Sequence, residues 1–183
     1  IMQEPAHPDI CNAATISVAQ QMDEADYPDV LNLRHSKTGI VFSIKYENAV
    51  HYIDDPHLLK FTLTINNKTS TDLQVNVVKL KMKQVFTSQQ GNKTIFRHTL
   101  FQVKDIPSVL AGETESTVYA MHFKIAKNWF WPTARKLQHI EREYLIRIKC
   151  VSGAKNVNVA FPFHVCGHPR AQQLKENKKR EFD

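Results

Sequence analysis

Lys79, Lys81 and Lys83 stand at i, i+2 and i+4. In an extended strand, residues two apart project from the same side. The three ammonium groups would then share one face, with Val78, Leu80 and Met82 on the other. Arg147 and Lys149 repeat the arrangement, opposed by Tyr144, Ile146 and Ile148. If the two strands lie in one sheet, these cations share a surface with few acids between them. Such a surface concentrates anions, with a strong dependence on salt. The chemistry it offers is anion binding, to phosphorylated tails, inositol phosphates or an anionic membrane leaflet. The same residues also fit a solvated sheet face on which lysine discourages edge-to-edge pairing.

Trp129, Phe130 and Trp131 lie between Lys127 and Pro132 in a predicted loop. Exposed aromatics beside lysine suit a membrane interface or a partner-binding loop, and they suit equally a lid folded over the open end of a sandwich. Nine histidines invite a metal, and His164, Cys166 and His168 alternate near the last strand. No CxxC, HExxH or finger spacing accompanies them, so no metal site is expected. Catalysis finds as little. With 5 glycines there is no Gly-rich phosphate loop. There is no GxSxG, and Asp54-Asp55 and the scattered glutamates form no defensible acid–base pair. The expectation is a protein that is not an enzyme and carries no cofactor.

The 183 residues carry 24 Lys+Arg against 18 Asp+Glu, a net charge of +6. That basic balance comes without a reading helix, an RNP-like strand or a zinc module, so no nucleic acid is expected as a partner. Cys11, Cys150 and Cys166 are odd in number and widely spaced, which reads as reduced thiols rather than a disulfide framework. A Cys150–Cys166 bridge is conceivable. Asn67-Lys68-Thr69 and Asn92-Lys93-Thr94 are glycosylation sequons in predicted turns. No apolar run is long enough for a membrane helix, and the hydrophobic share of 42% is that of a globular domain. A chain opening on Ile1-Met2 reads as a fragment of a longer protein.

Strands must position these residues. Residues 1–36 are polar, with Pro5, Pro8 and Pro28, and read as a linker or the trailing edge of a preceding domain. From residue 39 to 165 the pattern turns to alternation. Strands are predicted over residues 40–46, 59–65, 73–86, 94–103, 114–125, 144–151 and 157–165. Residues 66–69 read as a turn in which Asn tolerates positive φ, and residues 152–154 as a hairpin loop. Residues 170–183 form a polar basic tail. Such a run of strands without a long helix predicts an all-β, antiparallel immunoglobulin-like β-sandwich spanning residues 37–169.

Several segments together resemble the C-terminal domain of the arrestins and arrestin-domain-containing proteins. HYIDDPHLLKFTLTINNKTS, from His51, resembles the arrestin strand that enters an N-N-x-[ST] turn. LQVNVVKLKMKQ, from Leu73, resembles the long strand after it. EYLIRIKCVSGAKNVNVAFPFHVCGHPR, from Glu143, resembles the closing hairpin, with Tyr144, Pro162-Phe163 and His168-Pro169 at the expected places. The resemblance covers residues 39–169.

It implies a β-sandwich of arrestin C-domain type and a non-catalytic adaptor or scaffold. The implied partners are cytoplasmic segments of membrane receptors or transporters, in endocytosis, protein transport or signal transduction. They also include a phosphoinositide or anionic membrane surface and a missing N-terminal arrestin domain. The implied location is cytoplasmic, peripheral to the plasma membrane or endosomes. No two prolines are adjacent, so a PPxY ligase-recruiting motif is not carried here. The alternative is an extracellular immunoglobulin-like adhesion or ligand-binding module, which would use the sequons and a Cys150–Cys166 bridge.

Overall fold

The computed structural model describes residues 28–52, 55–122 and 139–166. Within them every regular element is a strand: β1 (Val30–Arg34), β2 (Val41–Tyr46), β3 (Val50–Tyr52), β4 (Leu58–Asn66), β5 (Leu73–Thr87), β6 (Lys93–Val103), β7 (Thr114–His122), β8 (Ile140–Ser152) and β9 (Lys155–Cys166). They form two sheets, ordered β1-β2-β4-β7 and β3-β9-β8-β5-β6. All pairings are antiparallel except the short β3, which runs parallel to β9. The all-β sandwich expected from alternation is the fold observed. No helix among the described residues is long and apolar enough to cross a membrane.

The core lies between the sheets and follows the period-2 pattern closely. Phe42, Ile44 and Tyr46 of β2 and Leu59, Phe61, Leu63 and Ile65 of β4 are buried from one side. Leu80, Met82, Tyr144, Ile146, Ile148, Val159, Phe161 and Phe163 are buried from the other. Each large side chain removed from water contributes roughly 1.5–3 kcal/mol, and geometry adds to it where rings meet. Phe61 stacks on Tyr119 at 5.2 Å, and Tyr144 tilts against Phe163 at 5.3 Å. Tyr46 ties the layers together by donating its hydroxyl to the Pro162 carbonyl at 2.8 Å.

Two strands were not read from the sequence. β1 lies inside the stretch assigned to a linker, yet Leu33 is buried and the strand pairs with β2 over its whole length. The sandwich therefore begins by Val30, not at residue 37. Only Leu31 and Leu33 signal it, two alternating positions on a five-residue edge strand. β3 has three residues and no room for a pattern. The long closing hairpin was legible. Its loop is Gly153-Ala154 between the paired Ser152 and Lys155, and Gly153 has φ 58°, as the first position of a type II′ turn requires.

The turn after β4 is built differently from the expectation. Among the described residues the one non-glycine with positive φ is Asp105, so Asn67 does not supply a left-handed corner. Asn67 is instead fully buried and clamps two loops together. Its amide nitrogen donates to the carbonyls of Thr71 (2.9 Å), Val109 (3.1 Å) and Leu110 (3.3 Å). Its oxygen accepts from the Thr69 hydroxyl at 2.6 Å and the Thr69 N–H at 3.3 Å. Around it Leu73 and Val109 exchange both backbone bonds at 2.8 Å, and Asp72 accepts from the Ala111 N–H at 2.8 Å. The β4–β5 and β6–β7 connections are thus fixed as one unit.

Candidate functional site

β5 does not alternate uniformly. Leu73 and Val75 face the core, and with strict alternation Val77 and Lys79 would follow them inward. A bulge intervenes: Val75 pairs with Cys150 and Val77 with Lys149, which leaves Asn76 as an extra residue. An extra residue reverses the facing of everything after it. From there Val78, Leu80 and Met82 are buried, and Lys79, Lys81 and Lys83 emerge on the outer face of the five-stranded sheet. The lysine row owes its orientation to Asn76.

β8 brings the second set alongside. Arg147 lies directly across from Lys79, and Lys149 across from Val77, a diagonal neighbour of Lys79. Lys81 lies across from Leu145. Side chains paired in this way sit about 5 Å apart at Cβ. Lys83 differs from the others. It lies opposite Glu143 and forms an ion pair with it at 3.7 Å, one of the few acids on the surface. The five predicted cations thus share one face, with four crowded together and Lys83 compensated. The sequence reading missed Arg97, which faces Lys83 from β6. Its signal lay only in the pairing of β6 with β5, which sequence does not give.

The crowding registers in Lys79. Partial burial, then the charges of Lys81, Lys149 and Arg147 with a hydrogen bond to Lys149, lower its pKa from 10.5 to about 8. From β6 it faces Gln102, which is neutral. A lysine that gives up its proton more readily when folded opposes folding while charged. That opposition is present below about pH 8 and disappears as pH rises toward 10.5. Lys79→Met should therefore raise the urea midpoint at about pH 7 and lose that advantage by about pH 11. An equal effect at both pH values would contradict the crowding.

Trp129, Phe130 and Trp131, named as a membrane or partner loop, lie outside the described residues, as do Cys11 and His168. Among the described residues no three His, Cys, Asp or Glu side chains gather as a metal site would require. Cys150 and Cys166 are buried free thiols. Cys150 pairs with Val157, and Cys166 lies nine residues further along β9, about 30 Å in an extended strand. A disulfide needs Cα atoms within about 7 Å, so this fold cannot join them. Burial pushes the Cys150 thiol up to about 12. Iodoacetamide at neutral pH should leave it unmodified until the protein is unfolded, and rapid labelling of the native state would contradict its placement. The sequon asparagine Asn67 is likewise engaged, since a buried amide with three acceptors has no room for a glycan.

The two sheets and their closing hairpin make a β-sandwich, and comparison with solved structures supports an arrestin-like fold. Spo0M, the sporulation control protein of Bacillus subtilis, aligns with this chain at a TM-score of 0.52 and 12% identity. The alignment covers 76% of this chain and 54% of that one, so the chain spans about half the length of Spo0M. At this identity what is shared is the fold. No family model matches the chain, and the search of curated proteins finds no match.

Proposed function

We propose that the chain is an arrestin C-type domain acting as a non-catalytic adaptor. It binds cytoplasmic segments of membrane receptors or transporters in trafficking or signalling, at the plasma membrane or endosomes. The observation that carries the reading is the packing of Lys79, Lys81, Arg147 and Lys149 into neighbouring positions on one rigid sheet face. Like charges held this close repel, and a carboxylate or phosphate seated among them relieves the repulsion. Charge-assisted hydrogen bonds to such groups exceed neutral ones, so phosphorylation of the partner would strengthen binding. Lys83, held by Glu143, borders the site rather than leading it. Trp129, Phe130 and Trp131 complete the proposal as a second contact with membrane or partner. The half-length match to Spo0M fits a domain that works beside another, the preceding arrestin half.

The test is affinity capture from a detergent lysate at low salt, with and without phosphatase, comparing the wild-type domain with Lys79→Glu/Arg147→Glu/Lys149→Glu. The expected result is membrane receptors or transporters retained by the wild type, reduced by phosphatase and lost with the variant. An identical set retained by both proteins, or extracellular-matrix partners alone, overturns the proposal.

A further inference from the structure

β6 is the outermost strand of the five-stranded sheet, and among the described residues no strand pairs with its outward edge. Its second half leans inward, with Leu100, Phe101 and Val103 packed against the core. Its first half does not: Lys93, Thr94, Ile95, Phe96, Arg97 and Thr99 are exposed. An open strand edge is a row of donors and acceptors that can take another strand. Two features say which strand.

The first is charge. β6 contains no Asp or Glu, and Lys93 and Arg97, opposite Thr87 and Lys83, stand on the same outer face as the lysine row. A second copy of this edge would set like charge against like, which disfavours self-pairing. An anionic segment would be favoured. The second is the reverse side of the strand. There Phe96, 46% exposed, meets Phe86 edge-on at 5.6 Å and offers an apolar surface. A strand laid along β6 would present alternate side chains to these two environments, one cationic and one aromatic.

We propose that residues 93–99 receive an extended segment of the partner as an added strand, with anionic side chains at alternate positions and apolar ones between. This rests on the outer sheet face being the binding surface, and it specifies how a partner reaches that face. Strands neighbour at about 4.8 Å, so the added anions would lie beside Lys93 and Arg97, with Lys83 and Lys81 one strand further in. Carboxylates and phosphates serve the same chemistry, and the test separates them.

The probes are a peptide of alternating Glu and Val, its phosphoserine analogue, and two versions N-methylated at either the odd or the even residues. N-methylation removes backbone donors and leaves charge unchanged. Only one set of donors in an added strand faces β6, so one version should lose at least about tenfold in affinity while the other binds nearly as the parent. Hydrogen exchange of the amides in residues 93–99 should slow on binding. Tighter binding of the phosphoserine peptide would assign phosphate as the preferred anion, and equal binding would assign carboxylate. Undiminished binding of both N-methylated versions overturns strand addition while leaving the cationic-face reading intact. Loss through one N-methylated version, with no effect of Lys79→Glu/Lys149→Glu, upholds strand addition and overturns the face reading. No binding of any peptide at low salt overturns both.

Discussion

Asn67→Ala should cost about 3 kcal/mol or more, a large part of the stability of a domain this size. The substitution removes one fully buried amide that serves three carbonyls and an oxygen that holds the Thr69 hydroxyl and N–H. Each carbonyl keeps a second donor, the Thr69 hydroxyl at Thr71, the Leu73 N–H at Val109 and the Glu113 N–H at Leu110. The cost therefore lies in losing the amide that ties the two loops together and in the cavity it leaves. Asn67→Asp should fare no better, because it sets a carboxylate against those carbonyls. Asn92→Ala, at the exposed hairpin turn of the other sequon, should stay within about 0.5 kcal/mol of wild type. Urea denaturation measures all three. A loss below about 1 kcal/mol for Asn67→Ala would mean that the two loops do not depend on the clamp.

The largest effect on binding should come from reversing the crowded cations. Lys79→Glu/Arg147→Glu/Lys149→Glu should weaken a multiply anionic peptide about a hundredfold or more at low salt, because each reversal replaces attraction by repulsion. The difference should shrink as salt rises toward about 0.15 M, where charges more than about 8 Å apart are screened. Lys37→Glu/Lys45→Glu/Lys68→Glu changes net charge equally at exposed positions away from this face. That control should lose far less. Equal losses in the two variants would reduce the site to net charge and remove the case for a defined surface.

Both predictions turn on residues whose roles were only partly legible. Alternation gave the core strands almost to the residue, because Phe42, Ile44, Leu59, Phe61, Leu63 and Ile65 are covered from one side only. It also gave the lysine row, since Val78, Leu80 and Met82 mark the opposite face. It did not give the bulge at Asn76, which is a matter of pairing with β8. Read strictly from Leu73, the same alternation would have turned Lys79 inward. Glu143 and Arg97 were missed for the same reason, since which residue lies across from Lys83 is decided by register. Asn67 was recognised as a turn residue, but its burial depends on Val109 and Leu110, more than forty residues away. Charge on a strand can be read locally; its neighbours on other strands cannot.

The central claim is that anions bind the outer face of the five-stranded sheet, around Lys79 and Arg147. The most direct measurement is an NMR titration of the isotopically labelled chain with the alternating Glu–Val peptide at low salt, following backbone amides and lysine and arginine side chains. The account predicts the largest shifts at Lys79, Lys81, Arg147 and Lys149 and along residues 93–99, with little change on β1, β2 and β4. Shifts centred on that four-stranded sheet, or none at any peptide concentration, would contradict it.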